Sequence, residues 1–107
     1  MKYLASPYSD PDPFIREERY LRAMKVLADL LHKGVWTYSP IVHCHEFAKI
    51  IYRDGVPVFD HWRQYDLHML SLCDEILVLR IEGWNRSVGV AAEIAEAERL
   101  GIKVSYI

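Results

Sequence analysis

A chain of 107 residues with 51% hydrophobic and 26% charged residues has the size and composition of one folded domain, which excludes a disordered or low-complexity protein. The formal net charge of -2 offers no basic footprint for a nucleic-acid polymer or an anionic membrane surface, so a small molecule is the expected partner. Two cysteines, Cys44 and Cys73, stand in no metal-knuckle spacing, no apolar run approaches the roughly 18 residues of a membrane span, and the first apolar run is too short for a signal peptide. The expected setting is a reducing cytoplasm.

In chain order, "KYLAS" predicts a first strand, and the prolines and aspartates of "SPYSDPDP" end it and supply helix-start chemistry. From about Pro13 to Lys33 the apolar residues Tyr20, Met24, Leu27 and Leu31 recur at helical spacing, with Gly34 at the C-terminal cap, so a helix with that apolar face is predicted. "VWTYSP" predicts a second strand stopped by Pro40, and "HEFAKIIYRDG" a short helix closed by Gly55. Asp60, read as an N-cap, opens a helix to about Cys73 that places Trp62, Met69, Leu70 and Cys73 on one face. "EILVLRI" predicts a buried strand, Val88 to Leu100 a last helix ended by Gly101, and "KVSYI" a final strand.

This alternation predicts a single α/β domain over residues 1–107, a flavodoxin/Rossmann-like three-layer α/β/α fold around a four-stranded parallel sheet of order 2-1-3-4 with right-handed crossovers. Ligands of such sheets bind at the carboxyl ends of the strands where the order reverses, here between strands one and three. The loops meeting there are "SPYSD", with Ser6, Tyr8 and Ser9, and "EGWNRSVG", with Trp84, Arg86, Ser87 and Gly89.

Glu93 has Gly89, Val90, Glu96 and Ala97 as its neighbours one turn away, so it lacks an opposite charge within the helix and its small neighbours leave its head accessible; helical spacing alone favours a plain exposed glutamate over a functional one. Glu96, by contrast, has Arg99 three residues on and reads as a solvated ion pair. Asp66 stands within the apolar stripe of its helix, where a carboxylate is either satisfied structurally or raised in pKa and able to donate a proton. Asp74 reads as a turn residue. Ser87 is placed to cap a helix whose N-terminus also suits an anion, and Arg86 either pairs with a phosphate or lies in solvent. The "HCHE" cluster from His43 to Glu46, with His61 and His68, invites a metal reading, but its spacing is weak; no metal and no cofactor are expected, since Walker, G-x-G-x-x-G and G-x-S-x-G motifs are absent from the sequence.

Read together, "KYLASPY", "YDLHMLSLCDEILVL" and "SVGVAAEIAEA" resemble the opening strand, the aspartate helix with its following strand, and the glutamate helix of the nucleoside 2-deoxyribosyltransferase superfamily. That superfamily includes a branch of 2'-deoxynucleoside 5'-phosphate N-hydrolases. The resemblance covers most of the chain, with Ser6 where the opening loop usually has glycine. It implies that Glu93 attacks the anomeric carbon, Asp66 engages the departing base, Tyr3 holds the nucleophile and Ser87 binds the 5' end of the sugar, where transferases for free nucleosides commonly carry Asp. Trp84 or Tyr8 would stack on the base or serve as core aromatics. The implied activity is N-glycosidic cleavage of a deoxynucleoside or its 5'-monophosphate through a covalent glutamyl-sugar, as hydrolase or transferase, in a homo-oligomer, dimer or tetramer. Two other readings stand beside it: a non-catalytic nucleotide-binding module, and an assembly protein whose aromatics, Trp36 and Trp62 among them, form an oligomer interface.

Overall fold

The computed structural model describes residues 1–51 and 59–107, the side chains of 51 and 59–61 excepted. Four strands, β1 (Lys2–Ala5), β2 (Thr37–Tyr38), β3 (Glu75–Val78) and β4 (Lys103–Tyr106), form one all-parallel sheet in the order β2-β1-β3-β4. Among the described residues the helices are α1 (Pro13–His32), α2 (Pro40–Ile51), α3 (Phe59–Ser71) and α4 (Val88–Leu100), with a 3₁₀ turn at Trp84–Arg86. The predicted α/β fold and strand order are those observed.

Both faces of the sheet are covered, which is why its central strands read as continuous apolar runs rather than alternating ones. Tyr3, Ala5, Ile76 and Val78 point to one side, where Leu70 and Cys73, at the end of α3, and Val90 and Ala97 of α4 complete a core. Leu4 and Leu77 point to the other side, where Leu79 and Ile81 join them and Val26, Leu27 and Leu30 of α1 close a second core. Edge to edge, the strands are keyed by charge: Glu75, buried on β3, bonds Lys2 of β1, accepts from Ser105 Oγ of β4 at 3.1 Å and meets Lys103 Nζ at 3.7 Å.

Helix ends follow their capping chemistry. Asp12 accepts the Phe14 amide at 2.9 Å with Pro13 behind it, and at the other end Gly34 takes φ +79, which lets the Val35 amide reach back to the Leu30 carbonyl at 2.9 Å. Ser87 caps α4 through the Val90 amide at 3.1 Å, and Gly101 ends it at φ +72, with the predicted bounds unchanged.

Two expectations require correction. The helix after the second strand begins at Pro40, five residues before the predicted "HEFAKII" segment. Ser39 accepts the Val42 amide at 3.2 Å, so Pro40 occupies the first helical position, where its missing N–H costs nothing, and the proline that stops the strand also starts the helix. The predicted apolar face of α1 is also rotated: Tyr20 and Ala23 are buried and Leu27 is partly buried, but Met24 and Leu31 face outward at 37% and 40% exposure. Gly55 as a helix end, and the side chains of Asp60 and His61, lie outside the described residues.

Candidate functional site

The site is built where α3 and α4, which pack against each other, cover β1. Tyr3 enters from β1, Asp66 from the middle of α3 and Glu93 from the second turn of α4. Asp66, Glu93, Gly89, Ala92, Leu67, Trp62 and Arg63 line a cavity of about 60 Å³. Small residues do not leave Glu93 accessible, as its helical neighbours had suggested; they let α4 close on its surroundings, and Glu93 is only 8% exposed. The exposed-glutamate reading is thereby corrected.

Burial dominates the electrostatics. The Asp66 carboxyl is pushed up to about 7 by burial alone. Glu93 is pushed up to about 8, first by burial, against the lowering effect of the Tyr3 hydroxyl, and then by the nearby Asp66 charge. Burial, followed by the two carboxylates, drives the Tyr3 phenol far above its ordinary value. The Tyr3 hydroxyl lies beside Glu93 and influences it, yet meets full hydrogen-bond geometry with no group among the described residues. The same is true of Asp66 Oδ1, and of the Tyr38 and Ser6 hydroxyls. Leaving a buried polar atom unpaired costs about 1–3 kcal/mol, so each of these positions carries a cost.

Tyr38 was not singled out by its sequence context. The parallel register sets Tyr38 directly beside Tyr3, with ring centroids 5.9 Å apart, and its phenol is raised by burial, then by Cys44, Tyr65 and, less strongly, Asp66. The signal was present in "VWTYSP": once strand two is laid against strand one, an aromatic hydroxyl falls next to Tyr3. Cys44 shares this corner, its thiol pushed up to about 12 by burial and then by the Asp66 charge.

The other expected residues are placed elsewhere or committed. Ser87 is the cap of α4, two residues before Gly89 at the cavity wall. Arg86 is exposed and pairs with Glu82 at 2.8 Å. Trp84 packs against the core beneath α4 and meets the Tyr106 ring edge-on at 5.7 Å. Ser9 is exposed, and its carbonyl accepts from Arg19 at 2.9 Å. Tyr8 turns toward α1 and α2, its hydroxyl 2.6 Å from His45 Nδ1. His45, buried and stacked on Tyr20 at 3.9 Å, reaches Glu17 through Nε2 at 2.8 Å.

The "HCHE" residues therefore diverge: His43 pairs with the Tyr65 hydroxyl at 3.2 Å, while His45 belongs to the Tyr8–Glu17 network. Among the described residues no three His, Cys, Asp or Glu side chains converge as a metal site would require. Glu96 forms its expected pair with Arg99, at 3.0 Å, and Asp74 sits exposed in its turn, 3.6 Å from the N-terminal ammonium. No described helix is long and apolar enough to cross a membrane.

Compared with known proteins, the sequence matches one family model over residues 1–107, that of the Domain of unknown function (DUF1937). No curated protein matches it.

Proposed function

The chain belongs to the DUF1937 family, and we propose that it cleaves the N-glycosidic bond of a 2'-deoxynucleoside or its 5'-monophosphate, in keeping with its resemblance to the nucleoside 2-deoxyribosyltransferases. The observation that carries this reading is the pair of buried carboxylates, Glu93 and Asp66, facing one cavity with the Tyr3 hydroxyl beside Glu93. Asp66 Oδ1 and the Tyr3 hydroxyl lack a hydrogen-bond partner among the described residues, where buried polar groups are ordinarily paired. Neighbouring carboxylates held in different environments are the usual means of running nucleophile and acid side by side.

Between them the two acids hold about one proton near neutrality, with Glu93 the higher of the two in the ligand-free protein. The reaction needs that proton on Asp66. The Tyr3 hydroxyl, which favours a charged Glu93, acts in that direction, and a bound substrate has to complete the transfer. Glu93 then attacks C1' as the C1'–N bond breaks, the bonding pair leaves with the base, and Asp66 protonates the base. Water attacks C1' of the glutamyl ester while Asp66 takes its proton, which frees the sugar, restores the Glu93 carboxylate and leaves Asp66 protonated for the next turnover; a second base in place of water gives the transferase outcome.

A cavity of about 60 Å³ holds roughly two waters, too little for a whole nucleotide, so the reacting centre alone would fit beside Glu93 and Asp66. That size also favours a second reading, a module on the same fold that binds a nucleotide without turnover. Incubation with the four common deoxynucleosides and their 5'-monophosphates, followed by chromatography for free base, separates the two. Base release abolished by Glu93→Gln supports the enzyme, whereas saturable binding with no base from any substrate replaces it with the binding module.

A further inference from the structure

Helix α1 has more apolar surface than its own fold uses. On its 20 residues, Tyr20, Ala23, Leu27 and Leu30 turn to the sheet or α2, while Phe14, Leu21, Met24 and Leu31 form a second stripe at spacings of seven, three and seven residues. These four are 83%, 54%, 37% and 40% exposed. Ala28, also exposed, completes the run. The spacing is that of a coiled-coil seam, with Phe14, Leu21 and Ala28 at one repeating position and Met24 and Leu31 at the other. Glu17 occupies the remaining seam position, and its side chain leaves the seam to bond His45. A helix of this length offers a seam of about 30 Å.

We propose that α1 is a homodimerisation helix, its outward stripe packing antiparallel on the same stripe of a second copy of this chain. Aligned about a two-fold axis between residues 22 and 23, the apolar positions meet: Phe14 faces Leu31 of the partner subunit and Leu21 faces Met24 of the partner subunit. Charge selects this direction. Glu18 and Lys25, both exposed, lie on one flank of the stripe without an ion-pair partner among the described residues, and the antiparallel alignment brings Glu18 within reach of Lys25 of the partner subunit. In a parallel pair that flank would run beside Tyr20 and Leu27, which offer no charge. The inference is independent of the glycosidase reading, since none of these residues belongs to the Glu93 cavity.

Light scattering coupled to size-exclusion chromatography tests it. The chain is expected to elute as a dimer, and Leu21→Glu, at an exposed position, is expected to elute as a monomer with an unchanged circular dichroism spectrum. With Cys44→Ser as background, a mixture of Leu21→Cys and Met24→Cys chains should form a disulfide-linked pair under mild oxidation, while Phe14→Cys alone should not link to itself. A monomeric wild type, a Leu21→Glu dimer, or self-linkage of Phe14→Cys overturns the proposal.

Discussion

Glu93 and Asp66 face the same small cavity from adjacent helices; burial raises both, and the Asp66 charge raises Glu93 further. The pair is a source of instability that the fold tolerates at its candidate site.

That cost has a pH signature. A carboxylate whose folded pKa is raised contributes stability fully below its unfolded value, and the contribution is lost as pH rises through the folded value, here about 7 for Asp66 and about 8 for Glu93. Glu75, held low chiefly by Lys2, acts oppositely and loses its contribution as pH falls below the ordinary carboxylate range. Urea denaturation from pH 4.5 to 9 should show greatest stability in mild acid and a decline through pH 7–8. Glu93→Gln should flatten that decline and raise stability at pH 8.5 by about 1–3 kcal/mol.

Tyr38 is expected to matter for chemistry more than for folding. Its hydroxyl has no partner to lose, so Tyr38→Phe should leave stability within about 1 kcal/mol of wild type. Once Asp66 has given up its proton it is a buried carboxylate in need of a donor, and Tyr38 is at hand. Base release should therefore fall about 10-fold, with the alkaline limb of the rate profile, set by Asp66, displaced upward in pH.

Two glycines with similar backbone angles should separate on substitution. Gly34, at φ +79, has open space where a Cβ would go, and Gly34→Ala should cost about 1 kcal/mol from backbone strain. At Gly83, φ +94, an added Cβ would come within 2.6 Å of the Arg19 guanidinium, which holds the Ser9 carbonyl. Gly83→Ala should add a displaced Arg19 to the same strain, about 1–2 kcal/mol more, and thermal unfolding of the two variants would read the difference.

His45→Ala removes a buried ring stacked on Tyr20 and bonded at both nitrogens. A loss of about 2–4 kcal/mol in chemical denaturation is expected, against about 1 kcal/mol for Glu17→Ala, whose carboxylate is half-exposed.

The fold was legible where local chemistry and global pattern agreed. Ser87 and Gly101 bracket α4 at the predicted residues because cap and αL terminator act within one turn of chain. The parallel sheet followed from the alternation of elements, whereas its order, expected as 2-1-3-4 and observed so, is not dictated by that alternation. What failed were the facts that depend on neighbours remote in sequence. Pro40 breaks a strand and starts a helix with equal ease, and only the Ser39 cap decides between them. Helical spacing found apolar residues on α1 without separating the arc facing the sheet from the outward one. Glu93 looked accessible because its neighbours are small, a property that equally permits the close packing that buries it. Asp66 was readable as an acid in an apolar stripe; its companion Tyr38 needed the register.

The charged rung at Glu75 acts as an alignment key for the site. Lys2, Glu75 and Lys103 stand side by side on three strands at the amino end of the sheet, one residue before Tyr3, Ile76 and Val104. Were β1 to slide by two residues, about 6.6 Å, side chains would keep their faces and the apolar pattern would raise little objection, but Lys2 would lose Glu75. Tyr3 would travel the same distance along the sheet and away from Glu93. A salt-bridged rung at the far edge thus sets the height at which a phenol meets a carboxylate, and errors in the one would be read out as silence in the other.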